Sequence, residues 1–223
     1  MFVMTSAIGT RTAKDALFDT FARVAASLAS GRRLEIVDVL AQAPRSVEEI
    51  ASEIEQSVAN TSHHLRRLAD DGLIRSRRDG RHVYYELVSD DVYTLWRALQ
   101  SVAGTHHDGL GRRAEAYLGD RTEIETVDHE TLRRRLERGD AVVVVDVRPE
   151  SEYRAGHIEG AISAPPERLG QMLPSLPGGA DVVAYCRGEY CAYADQAVRL
   201  LRASGRTAYR LEAGYRDWFD TAG

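Results

Sequence analysis

The 223-residue chain has only two cysteines, Cys186 and Cys191. One close pair near the C-terminal end is no basis for a disulfide scaffold of the kind that small secreted domains use. Long apolar runs are absent too. No stretch reaches the ~20 consecutive apolar residues that a membrane-crossing helix needs, and no membrane partner is expected. Met1 to Lys14 lacks a basic start followed by an apolar segment, which argues against a signal peptide. These absences together point to a cytoplasmic protein in a reducing compartment. There is no low-complexity tract and no internal repeat. Lys14 is the only lysine, so nearly all cationic charge is arginine. Arginine forms bidentate contacts that lysine cannot, although genomic drift leaves the same bias. The net charge of −5 gives no whole-chain sign of nucleic-acid binding, so charge has to be read locally.

The length fits one large domain or two small ones, since domains commonly run to ~100–150 residues. Two patterns divide it. Ala13 to Leu28 repeats apolar residues at helical spacing (Leu17, Phe18, Phe21, Val24, Ala25, Leu28), and Arg33 to Leu40 continues after a break. Ser46, with Glu49 three residues on, forms a capping-box signature that opens a short helix to Ile54. Ser57 caps a further helix, Val58 to Asp70, with Thr61, Leu65 and Leu68 inward and Gly72 as its stop. Leu73–Ser76 and His82–Val88 alternate as strands around Asp79-Gly80, a hairpin signal. A last helix covers Asp90 to Val102. The polar stretch from Gly104 to Thr126, with its glycines and histidines, reads as a linker. Beyond it, strands (Ala141–Val147, Val182–Cys186, Thr207–Leu211) alternate with helices (Leu132–Arg138, Ala192–Ala203, Tyr215–Thr221). That alternation predicts a parallel sheet covered by helices. The expected division is 13–103, a linker over 104–125, and 126–223.

A helix pair followed by a basic hairpin suits DNA. The second helix enters the major groove and the hairpin wing reaches the flanking backbone. The expected reading face carries Ser57, Ala59, Asn60, Ser62, His63, Arg66 and Arg67, and the wing adds Arg75, Arg77, Arg78 and Arg81. Small polar residues and Asn can meet base edges, and arginines can meet phosphates or guanine. A lone basic hairpin is more often a solvated surface; its place after this helix pair reverses that reading. The run Asn60-Thr61-Ser62-His63-His64-Leu65-Arg66-Arg67-Leu68, then Asp70-Asp71-Gly72-Leu73-Ile74, then Arg77-Arg78-Asp79-Gly80-Arg81-His82-Val83-Tyr84-Tyr85, resembles the ArsR family of winged-helix repressors. The resemblance covers about Ala13 to Val102. It implies a double-stranded DNA operator, a homodimer through the first and last helices, and an effector that relieves repression. Many family members sense metals through thiolates before the recognition helix, but Val47-Glu48-Glu49-Ile50-Ala51 has no cysteine. Asp90, Asp91, His106 and His107 do not form a zinc-ligand pattern, and no metal or cofactor is expected.

In the C-terminal half, Cys186 ends a predicted strand, and Arg187-Gly188-Glu189-Tyr190-Cys191 leads into a helix. Backbone N–H groups and the helix dipole at such a start stabilise a thiolate. Gly188 permits a tight backbone, and a persulfide's terminal sulfur would sit inside the cradle. This half resembles the single-domain rhodanese family through four ordered motifs: Val145-Asp146-Val147-Arg148, Glu152-Tyr153 with Gly156-His157-Ile158-Glu159-Gly160-Ala161, the Cys186 loop, and Leu211-Glu212-Ala213-Gly214-Tyr215-Arg216-Asp217-Trp218. The resemblance implies sulfane-sulfur transfer through a Cys186 persulfide. The six-residue loop is the rhodanese length rather than the longer one of related phosphatases and arsenate reductases. Glu189 puts a negative charge in the loop with only Arg187 opposing it, which disfavours thiosulfate and favours a persulfide or polysulfide. Cys191 reads either as a small filler or as a resolving thiol. Asp146, Arg148 and His157 are expected to hold loops, and Trp218 to be core.

The expected fold is therefore a mainly α winged helix-turn-helix joined to an α/β rhodanese-like domain. The expected function is a repressor that senses reactive sulfur or an oxidant through Cys186. Two alternatives stay open: a sulfurtransferase with an autoregulatory or targeting DNA-binding domain, and an interaction module with an inert rhodanese fold.

Overall fold

The computed structural model describes residues 9–220. The reading of Met1–Lys14 lies partly outside this range, as does the expected helix end at Thr221. The chain divides into two compact units between Leu99 and Gln100.

In the first unit, α1 (Arg11–Leu28) starts at Thr10, whose hydroxyl accepts from Ala13 N, and α2 (Gly31–Leu40) follows. The strand β1 (Arg45–Ser46) leads into α3 (Val47–Glu53). Ser46 closes the expected capping box: its backbone N–H donates to Glu49 Oε2 at 2.7 Å and its Oγ accepts from Glu49 N at 3.3 Å. The next helix, α4 (Val58–Asp70), is capped by Ser57, whose Oγ accepts from Asn60 N at 3.2 Å. Ile36, Val37, Ile50, Leu65, Leu68 and Val92 form one core. The strands β2 (Ile74–Asp79) and β3 (His82–Leu87) pair antiparallel with Asp79 opposite His82, and β1 adds to the far edge of β3. Gly80 takes the first loop position at φ 60°, a conformation that glycine adopts without a Cβ penalty. The strand β1 escaped sequence reading because a two-residue pairing has no periodicity to detect.

The helix α5 (Asp90–His106) runs four residues past its expected end. The second unit then contains a helix where a linker was expected: α6 (Leu110–Leu118). Leu110 and Ala114 are half-buried and Leu118 is buried, so a stripe at four-residue spacing turns inward. The flanking glycines and histidines had masked it. Next come β4 (Thr126–Val127), α7 (His129–Glu137), β5 (Val142–Asp146), α8 (Glu150–Ala155), β6 (Ile162–Ser163), α9 (Pro166–Met172), β7 (Asp181–Tyr185), α10 (Ala192–Ala203), β8 (Ala208–Leu211) and α11 (Asp217–Asp220). The five strands form one sheet in the order β4-β8-β7-β5-β6, with every pairing parallel. Both faces are buried, which explains the near-continuous valine runs. Val143, Val145, Val182, Ala184 and Cys186 face one layer, with Ala194, Val198 and Leu201 of α10. Val144, Val183 and Tyr185 face the other, against Leu132, Ile158 and Leu211. Trp218 packs on this second layer, half-buried. Among the described residues, no helix is long and apolar enough to cross a membrane.

Candidate functional site

On α4, Thr61, Leu65 and Leu68 are buried, which turns Ser57, Ala59, Asn60, His63, Arg66 and Arg67 outward, with Ser62 half-buried. Asn60 Nδ2 donates to Gln56 Oε1 at 2.7 Å. Arg67 lies 3.0 Å from Asp71 Oδ2, and Arg23 lies 3.2 Å from the other oxygen of that nearly buried carboxylate. On the wing, Arg75, Arg77, Arg78 and Arg81 are all exposed. Arg75 pairs across the hairpin with Glu86 at 2.7 Å, Arg77 with Asp79 at 3.6 Å, and Arg78 Nε donates to Gly80 O at 3.2 Å. Exposed pairs of this kind contribute about 0–1 kcal/mol, so they do not prevent an arginine from turning to a phosphate.

In the second unit, Cys186 follows the last residue of β7 and is 2 % exposed, while Cys191 is half-buried and is the N-cap of α10. The two are joined by a disulfide with a Cα–Cα separation of 6.3 Å, inside the ~4.4–6.8 Å range such a bond spans. Cys186 O accepts from Tyr215 N at 2.9 Å, and Cys191 N donates to Gly188 O at 3.2 Å. The first N–H groups of α10 have no partner within the helix and so give this end of the loop its donor character.

Arg187, expected to oppose Glu189, turns the other way. Arg187 reaches Glu152 of α8, with Nη2–Oε1 at 2.6 Å and Nε–Oε1 at 3.0 Å, and Glu152 is fully buried. A buried carboxylate needs such a partner, because an unpaired one carries a desolvation cost of several kcal/mol. The side chain of Glu189 is exposed. The loop's carbonyls are instead held by two arginines not anticipated at this site. Arg210 Nη2 donates to Gly188 O at 2.8 Å and Glu189 O at 3.0 Å, and Arg121 Nη2 donates to Glu189 O at 2.8 Å. Both arginines meet Asp195 of α10, which is fully buried: Arg121 Nε is 2.6 Å from Oδ2 and Arg210 Nε is 2.9 Å from Oδ1. Burial, and then the charge of Arg121, pull the Arg210 pKa below its usual value. One signal was legible. Asp195 is an acid on the inward face of an amphipathic helix, beside Ala194, Ala197 and Val198, and such a position requires a cationic partner.

Asp146 and Arg148 form a fully buried pair at 2.6 Å. Arg148 also donates to Gly156 O at 2.7 Å and stacks on Tyr215, 3.9 Å from the ring centroid. Burial by itself lowers the Arg148 pKa, but the hydrogen bonds and charge of Asp146 raise it overall. Tyr185 donates to Asp146 Oδ2 at 2.6 Å, and burial pushes its pKa well up. This network fixes the ends of β5 and β7 and the 214–218 turn around the loop. His157 is exposed and stacks on Tyr153, with Nδ1 3.0 Å from Tyr153 O. The arrangement holds two sulfurs at opposite ends of a six-residue loop and pins the peptide units between them. Asp90, Asp91, His106 and His107 form no group of three or more metal-type ligands, and none occurs among the described residues.

Two family models match the chain: the bacterial regulatory protein, arsR family, over residues 30–76, and the rhodanese-like domain over residues 128–221. The HTH-type transcriptional regulator Rv0324 of Mycobacterium tuberculosis is 43 % identical over 205 residues, which is 92 % of this chain and 89 % of that protein. A sulfurtransferase of Allochromatium vinosum is 30 % identical over 95 residues, covering 43 % of this chain and 88 % of that protein. Among solved structures, a homodimeric winged helix-turn-helix DNA-binding domain from Mycobacterium bovis, described as a possible ArsR-family regulator, is 40 % identical. It covers 45 % of this chain and 94 % of that one, with a TM-score of 0.42.

Proposed function

The chain belongs to the ArsR-type helix-turn-helix transcriptional regulators that carry a C-terminal rhodanese-like domain, and from that premise we propose that it is a cytoplasmic repressor controlled by reactive sulfur at Cys186. The observation that carries this reading is the Cys186–Cys191 pair itself, placed across one loop at 6.3 Å between Cα atoms in a chain that also bears a DNA-reading helix. The Cys186 thiolate attacks the terminal, protonated sulfur of a hydropolysulfide. An S–S bond breaks, a shorter polysulfide leaves with the electron pair, and Cys186 becomes a persulfide. Attack by the Cys191 thiolate on Cys186 Sγ forms the disulfide and expels hydrosulfide. Over both steps two thiols lose two electrons and two protons, and sulfane sulfur is reduced. The effector acts on DNA affinity only through its different interaction with the bound and released states.

The decisive experiment titrates the full-length reduced protein against a duplex from the region upstream of its own gene, then repeats the titration after polysulfide treatment with mass spectrometry of the Cys186 peptide. Modification with unchanged affinity rejects the sensing role. The enzyme reading draws on the sulfurtransferase relative and requires turnover: repeated persulfide transfer to a thiol acceptor, where a sensor needs one modification per chain.

Two expectations concern the DNA-binding half, proposed to span 13–103 with dimerisation. Arg67→Ala and Arg78→Ala should each weaken binding and reduce the slope of log affinity against log salt by about 1, the signature of one lost phosphate contact. Unchanged slopes in both would place the DNA surface elsewhere. The protein should also be a homodimer through α1 and α5. Leu17, Phe18 and Phe21 are 52, 56 and 58 % exposed in the single chain, and Leu95 and Leu99 are 38 and 40 % exposed. Trp96 of the same helix packs on the core instead, and its indole N–H donates to Asp38 at 2.9 Å. Light scattering at micromolar concentration should give twice the chain mass; a strict monomer contradicts the assignment.

A further inference from the structure

The stretch from Leu118, the last residue of α6, to Glu125 leads into the sheet, and arginines of α10 hold backbone carbonyls at Leu118, Asp120 and Glu123. Arg199 donates to Leu118 O at 3.3 Å and to Asp120 O at 2.8 Å. Arg202 donates to Glu123 O and pairs with Glu125 at 3.4 Å. Arg121 sends its own side chain from this stretch to the cysteine loop. One guanidinium there bridges two elements. It holds the Glu189 carbonyl, on the peptide that leads to Tyr190 and Cys191, at 2.8 Å. It also holds the fully buried Asp195, four residues beyond Cys191 in the first turn of α10, at 2.6 Å.

Such a fork is sensitive to the angle between loop and helix. Joining the two sulfurs fixes the loop's ends, with Cα atoms 6.3 Å apart. Without the bond the sulfurs separate to van der Waals distance, and the covalent restraint on the loop's ends is released. Arg210 holds the same carbonyl and the same carboxylate, but from β8, so a shift there stays within the sheet. Arg121 is on the chain that leads back toward the DNA-binding half. Planar, multi-donor geometry is essential to this role, because a lysine ammonium is a point charge that cannot span both partners in fixed directions.

We propose that Arg121 is a positioning residue that transmits the state of the Cys186–Cys191 loop to segment 118–125, and through it to DNA affinity. The proposal rests on the sensing reading above and names its route. With Arg121 removed, Arg210 still pairs with Asp195, so the buried carboxylate keeps a cationic partner.

The test uses full-length wild type, Arg121→Lys and Arg121→Ala, each reduced and then treated with sodium polysulfide. Three quantities are read: the mass of the Cys186–Cys191 peptide, hydrogen exchange across 118–125, and affinity for the upstream duplex. In wild type, modification should change exchange in 118–125 and lower affinity about tenfold, within the usual range of coupling between sites. Both variants should be modified to the same extent and bind DNA normally when reduced, yet show less than about a third of each response. If Arg121→Ala does not fold, Arg121→Lys decides. A wild-type-sized exchange change in a folded variant overturns the proposal, as does a wild-type protein whose 118–125 exchange ignores modification. If exchange responds and the variants abolish that response while DNA affinity never moves, the loop-to-segment route stands and the sensing reading falls.

Discussion

Cys186→Ser should abolish polysulfide-induced release of DNA while leaving the reduced protein's affinity unchanged. The thiolate that starts the chemistry is lost, and the buried position, 2 % exposed, accepts a hydroxyl of similar size. Since a tenfold affinity change corresponds to about 1.4 kcal/mol of coupling, loss of the response is readily measured by anisotropy titration. Cys191→Ser separates two mechanisms. If the disulfide is the signal, this variant stops at the Cys186 persulfide, adds about 32 Da in the mass spectrum, and keeps DNA bound. Normal release by Cys191→Ser would make the persulfide alone sufficient and Cys191 a filler. Reagent order gives an independent check: limiting alkylation of the reduced protein should label Cys186 first. Exposure favours Cys191, so first labelling of Cys186 would be due to its environment.

Gly214→Ala should be the most destabilising single change near the site. A Cβ there would lie 1.8 Å from Arg187 O, 2.3 Å from Arg187 C and 2.8 Å from Gly188 N, all backbone atoms of the cysteine loop. Backbone cannot swing aside as a flexible side chain can. Either the loop moves, breaking the Tyr215 N–H to Cys186 O bond, or the 214–218 turn does, releasing Tyr215 from Arg148. The expected loss is about 3 kcal/mol or more, in the range of severe core substitutions. A thermal melt of the full chain would show the second unit unfolding earlier. A melt unchanged within error would mean that the approach of these two backbones is not required for the fold.

Much of the architecture was legible without coordinates. The Ser46–Glu49 capping box, the Ser57 cap, the hairpin at Gly80 and the boundaries of α10 all appear where local rules put them, because caps, turns and helical periodicity are short-range effects. The outward face of α4 followed from which of its residues are apolar, and the cysteine loop from its place between a buried strand and an amphipathic helix. What local rules could not supply is the wiring around that loop. Arg187 was set against its neighbour Glu189, yet it turns to Glu152, a residue 35 positions away. The stretch over 104–125, polar and read as a linker, holds α6 and brings Arg121 to Asp195, 74 positions away. An arginine in a sequence carries no mark of which carboxylate it will find. The pairing is decided where helix packing and strand order bring charges together in a low-dielectric interior, where each must find a partner or stay outside. The types of chemistry were therefore set by the sequence alone, and only the tertiary structure decided which charges hold the sulfur loop in place.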